Sequence, residues 1–304
     1  MSALLKPASY ILVICLGFLL KRLGFFEKED HRLLSKIMIN ITLPCAIVQA
    51  FETFEREASM FIIVGIGFLC ALLPMLLMYL LTVHDPIRLR TYRMLNIGGY
   101  NIGCFSLPLV QIFFGDMGVV TACMFDTGNA VMMTGGSYAV TSTLLGIGDH
   151  RESAWEIAIK FLKSIPFDVY MLMFAMVALD IPIPEAMFTL TRPAGQANAF
   201  IAMLMIGMMF EPEGDPVFLK EAGREILLRF AFAGLSAWVL YRFTPFSLLV
   251  RKTLAVVCFA PLSSLAPLYT DRCGADTALA SFTNSLSILV SLVCMLTLSI
   301  WFIA

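Results

Sequence analysis

Charge is what this chain has least of: 14% of its 304 residues are Asp, Glu, Lys or Arg, against 59% hydrophobic, with no polar stretch long enough for a separate domain. Apolar runs recurring from end to end exclude an ordinary soluble protein and read as an integral membrane protein with lipid as its solvent. The formal charge is −1, and the charges cluster in short patches between apolar runs, which excludes nucleic acid as a partner. Histidine is also scarce. His31, His84 and His150 all fall in charged loops, so no zinc or haem site is expected and no cofactor is implied. HExxH, GxSxG and GxxxxGK[ST] are missing, so the chain reads as no enzyme and has no means of hydrolysing ATP. There is no CxxC; of the eight cysteines, seven lie in apolar runs and read as reduced, space-filling residues.

What is there is a succession of apolar segments about 20 residues long, the length that crosses a bilayer. They run roughly 7–23, 31–52, 59–82, 91–114, 117–143, 158–179, 185–210, 221–241, 253–270 and 276–303. The first is short, but Lys6 precedes it, Lys21 and Arg22 follow it, and no small-residue cleavage site appears, so it reads as a first span. With the N-terminus outside, outer segments hold six Lys and Arg and inner segments fifteen, so both termini are expected to be extracytoplasmic in a multi-pass cell (inner) membrane protein. Residues 146–156 form the longest polar connection and read as a cytoplasmic linker. They divide the chain into a first five-helix repeat, 1–145, and a second, 157–304. Five is odd, so the second repeat enters the membrane upside down relative to the first, as in many secondary transporters.

The repeats share punctuation. Asn40 and Pro44 are expected to interrupt helix two, and Pro193, Gln196 and Asn198 helix seven. Helix four carries "NIGGYNIGCFSLPL" (96–109), and helix nine carries "APLSSLAPLYTDRCG" (260–274). Proline removes a donor and glycine admits turns, so both helices are expected to break, and a break at bilayer depth survives only where protein or a cavity covers it. Paired breaks mark a place where a solute binds backbone dipoles.

These motifs, with "ITLPCAI" (41–47) and "FDTGN" (125–129) and a closing stretch running on to "SFTNSLSILVSL" (281–292), resemble the auxin efflux carrier family of permeases, within the group that includes bile-acid symporters. The resemblance implies an all-α fold of ten transmembrane helices in two inverted repeats, with helices four and nine crossing at unwound centres. Helices 1, 2, 6 and 7 would form a scaffold, and helices 3–5 and 8–10 a mobile transport domain. Its substrates would be small organic anions such as dicarboxylates. The crossover ligands would be Asn101, Gly103 and Pro108 on one side and Pro261, Ser263, Ser264 and Pro267 on the other. Early in helix six, where many members have Asn-Pro, this chain reads "SIPFD", with Ser164, Pro166 and Asp168.

Acids inside spans are costly and read as functional, so Asp126 and Asp168, with Asn129 near the first, are candidates for a coupling ion; capping a broken helix is the alternative role. Asn40 and Arg192 complete the candidate substrate-binding set, since a guanidinium grips a carboxylate bidentately, with snorkelling to the interface as the alternative. The chain thus reads as a secondary active transporter of a small organic anion, elevator-like and proton-coupled. Sodium symport and a solute-binding sensor of the same fold are the alternatives, and helices two and seven offer a homodimer surface.

Overall fold

The computed structural model describes residues 2–27, 29–52, 61–147, 165–209 and 216–303, and among these the regular structure is all helical. Among the described residues, five stretches are long and apolar enough to cross a membrane: Asp30–Ala50, Ile62–Leu81, Ile102–Leu145, Leu219–Phe243 and Thr277–Ile303. The linker expected at 146–156 lies outside the described residues from 148 onward, as does Ser164.

In chain order, α1 is Ser2–Arg22, and α2, Asp30–Ile37, runs through a π-helical turn at Met38–Thr42 into α3, Leu43–Ala50. α4 is Phe61–Leu81 and α5 Ile87–Ile97. The chain then unwinds and restarts with a π turn, Ile102–Ser106, and α6, Leu107–Val131, which bends at Gly115 and continues through Met132–Gly136 into α7, Ser137–Leu145. α8 is Ile165–Ala178, α9 Glu185–Met209 and α10 Leu219–Phe243. α11, Leu248–Val257, ends at a second break, after which come α12, Ala266–Arg272, and α13, Thr277–Ile303.

The packing is inside out relative to a water-soluble protein. Leu12, Leu80, Leu190 and Trp301 lie exposed, while Asn96, Asn129, Asn198, Glu225 and Arg229 are buried. Lipid tails are as apolar as leucine, so helices in a membrane cohere through close backbone approach and interhelical hydrogen bonds. Gly128 of α6 supplies one such approach: a Cβ there would run into the carbonyl of Val64 on α4. Hydroxyls of Thr82, Thr121, Thr253 and Thr283 spend themselves on the carbonyl four residues back, so burying them leaves no donor unmet.

Helix contacts fall into two groups. α9 packs along α1 and α3, and α8 along α3. α6 packs on α4 and α11, while α10 packs on α11 and α13. The groups meet where α3 and α9 touch α6. One link between them is polar: Asn198 of α9 accepts from the Thr42 hydroxyl at 2.9 Å and donates to Gln111 of α6 at 3.5 Å.

Helix seven, expected to be interrupted, is not: α9 runs unbroken through Pro193. The turn before the proline is braced from α3, where Gln49 donates to the Phe188 carbonyl and to the Thr191 hydroxyl, each at 2.8 Å. Pro193 removes a single N–H, and with that turn braced by a neighbouring helix α9 continues past it.

Candidate functional site

The three glycines of "NIGGYNIG" have three jobs. A Cβ on Gly98 would press on the Ala71 carbonyl at 2.5 Å and on Met75, so Gly98 lets the end of α5 lie against α4. Gly99 has φ of 75°, a left-handed conformation that turns the chain out of the helix and disfavours any side chain. Gly103 opens onto a cavity. Pro267 stands in the first turn of the helix that follows the second break, where a missing N–H costs nothing, and Pro108 opens α6 directly after the π turn that restarts the chain.

At the breaks the two halves of the chain touch through backbone: the Asn101 N–H donates to the Pro261 carbonyl at 3.0 Å. Each break is also pinned by the helix that runs behind it. Asn129 of α6 accepts from the Tyr100 N–H at 2.9 Å and donates to the Tyr100 carbonyl at 2.8 Å and to Asp126 at 2.9 Å. Ser287 of α13 accepts from the Leu262 N–H at 3.0 Å. Ser263 turns inward and accepts from the Leu265 N–H at 3.1 Å.

Breaking two helices also strands carbonyls, and one side chain collects them. The guanidinium of Arg229, on α10 and only 4% exposed, donates to the carbonyls of Ile97 at 2.7 Å and Gly99 at 2.8 Å in the first break. It reaches Ala260 at 3.1 Å and Pro261 at 3.3 Å in the second, and stands over the Tyr100 ring at 4.9 Å. Both α5 and α11 end here, and each C-terminus carries about half a negative charge, so one guanidinium offsets the pair. Sequence reasoning counted Arg229 among the flanking charges. The signal that could have singled it out is its spacing: Glu225 and Arg229, four apart, put charge on one face of a helix that then runs apolar.

Beside this crossing is a cavity of about 340 Å³. Asn101, Gly103 and Ser264 line it from the two breaks, and Asp126, Thr127 and Thr134 from α6 and the π turn after it. Leu43 and Ile47 of α3 and Phe167 and Tyr170 of α8 close it with an apolar wall. The fold therefore brings together Asn101, Gly103, Ser264 and Asp126, with Asn129, Ser263 and Pro261 behind them as supports. Asn40 lies exposed, bonded to the Lys36 carbonyl at 2.7 Å, and Asp168 is exposed in the first turn of α8. Arg192 is exposed and paired with Glu52 at 2.8 Å. None of these three lines the cavity.

A bundle of apolar helices thus surrounds a polar crossing of two breaks with a cavity beside it. Residues 5–148 match the family model described as "Membrane transport protein". The resemblance to auxin efflux carrier permeases read from the motifs is borne out over that stretch, and the family is one of transporters. A protein from Methanothermobacter thermautotrophicus named "Uncharacterized transporter" is 27% identical over 138 residues, 41% of this chain and 43% of that relative's length. The matched region thus spans less than half of that relative.

Proposed function

We propose that the chain is a secondary transporter that carries a small organic anion through the cavity at the crossing, with Asp126 as the site of a coupling proton. The observation that supports this reading is the cavity itself: its polar wall comes from both broken segments and its apolar wall from α3 and α8. In this reading α1–α3, α8 and α9 are the scaffold, α4–α7 and α10–α13 are the transport domain, and the chain crosses the membrane ten times as two inverted repeats. The cavity lies between these groups, so sliding one past the other would carry a solute with it. The elevator-like motion follows from that placement.

The anion meets the helix that restarts at Ile102, whose N-terminal end carries about half a positive charge. No basic side chain is among the described residues that line the cavity. An ionised Asp126 opposes an anion there by like-charge repulsion, and a protonated one does not. Proton and anion therefore bind better together than apart, which is what symport requires. Uptake of labelled malate, malonate and indole acetate into proteoliposomes, under imposed proton or sodium gradients, tests the proposal with Asn101→Ala as control. Saturable, proton-driven uptake lost in the control is the expected result. Sodium-driven uptake would replace the proton, and binding without uptake would make the protein a sensor.

A further inference from the structure

A second cavity, of about 350 Å³, lies away from the crossing, between the end of α4 and the first turns of α10. Met78, Leu81 and Thr82 line it from α4 and the turn after it, Arg93 from α5, and Arg224, Leu227 and Leu228 from α10. Its two sides differ in chemistry. Leu81 is 62% exposed and Leu227 72%, and with Leu80 they continue the apolar outer surface of the bundle. The other side carries two guanidiniums.

These guanidiniums are not equivalent. Arg93 is buried and fixed, its Nη1 paired with Asp85 and its Nη2 with Glu221 at 2.9 Å. Arg224 is exposed and donates no hydrogen bond among the described residues. Close by, Arg90 donates to the Tyr79 carbonyl at 2.8 Å and lies over the Tyr79 ring at 4.4 Å, an aromatic and cationic pairing typical of headgroup level. Among the described residues lining and flanking the cavity, four arginines (Arg88, Arg90, Arg93, Arg224) accompany three acids (Asp85, Glu221, Glu225).

A pocket that is cationic on one side, opens onto exposed leucines and stands where a membrane helix ends fits an amphiphile with an anionic head. We propose that this cavity binds the phosphodiester headgroup of an anionic phospholipid, with Arg224 as its principal contact and the acyl chains lying along Leu80, Leu81 and Leu227. The exposed guanidinium of Arg224 offers paired N–H donors to two phosphate oxygens, and the buried Arg93 adds fixed positive charge behind it. The site shares no residue with the crossing, and its occupancy does not depend on what the crossing carries.

The test uses the full-length protein in detergent, offered phosphatidylglycerol or phosphatidylcholine of identical acyl chains. Bound lipid is read by native mass spectrometry, and thermal stability is read in parallel. Wild type is expected to retain phosphatidylglycerol about fivefold over phosphatidylcholine, and Arg224→Gln to bring the two close to parity, the effect of one arginine at headgroup level. Lys220→Gln removes an exposed charge one turn away and is expected to keep the preference. Equal retention of both lipids by wild type overturns the proposal, as does an undiminished preference in Arg224→Gln. An equal loss in Lys220→Gln would make the attraction diffuse and also overturns it. A separate arm adds inorganic phosphate: Arg224-dependent stabilisation equal to that of phosphatidylglycerol would assign the site to a soluble anion and overturn the lipid.

Discussion

The guanidinium of Arg229 and the carbonyl of Gly99 are joined at 2.8 Å, and the same nitrogen reaches across to Ala260 in the other break. Two unwound segments, distant in sequence, thus share one cation. The strut matters to the crossing because a buried carbonyl without a donor costs about 1–3 kcal/mol, and Arg229 serves those of Ile97, Gly99 and Ala260, while that of Pro261 also accepts from Asn101.

Replacing Arg229 by methionine should therefore be among the most harmful single changes in the chain, with a loss of about 3 kcal/mol or more. Arg229→Lys keeps the charge but not the planar fork and should fall between the two. Thermal unfolding of the purified proteins in detergent, in the order wild type, lysine, methionine, checks this. Equal stability of wild type and methionine would remove the strut.

Asn129 is a strut of the same kind for the first break, so Asn129→Ala should cost about 2 kcal/mol by leaving the N–H and carbonyl of Tyr100 unmet. Asn129→Asp keeps the acceptor for the Tyr100 N–H, loses the donor to its carbonyl and sets a carboxylate beside Asp126. It should be no better than alanine in unfolding measurements. A variant as stable as wild type would show that the break holds itself.

For Asp126, the proton reading has a sharp consequence. Asp126→Asn mimics the protonated acid permanently, so it should abolish accumulation driven by a pH gradient while sparing exchange of substrate across the membrane. Undiminished uphill uptake in that variant would rule out the coupling role.

Gly98 and Gly103 should respond differently to alanine. At Gly103 the nearest atoms to an added Cβ are Leu43 at 3.6 Å and Asp126 at 3.8 Å, ordinary contacts, so folding should be unchanged while the cavity narrows and KM rises. At Gly98 the added carbon meets the backbone of Ala71 at 2.5 Å, so the cost should appear in stability. Expression, unfolding and uptake of the two variants, compared side by side, separate the effects; a Gly98→Ala protein as stable as Gly103→Ala would contradict them.

Arg192 should matter little. Its pair with Glu52 is exposed on both sides, and such pairs contribute about 1 kcal/mol or less. Arg192→Ala should leave stability and KM nearly unchanged, and a tenfold rise in KM would return it to the substrate site.

Much of this was legible in the chain itself. The apolar segments and the two broken helices follow from period, composition and the conformational rules of glycine and proline, which act locally; the meeting of Asn101, Gly103 and Ser264 is what the resemblance to auxin efflux carriers implies, and Asp126 reads only as an acid within a span. Local rules misjudged Pro193 because the bracing of the turn before it comes from Gln49, on another helix. They also undervalued Arg229, since a cation near the start of an apolar run looks like a flank until tertiary contacts bring carbonyls of both breaks to it. Asn40, Asp168 and Arg192 show the converse: a polar residue within an apolar run acquires its surroundings from the helix face on which it falls, and packing set these three outside the cavity. Sequence decided where α5 and α11 break; only the tertiary structure decided what satisfies the breaks, because most of the bonds that do so come from other helices.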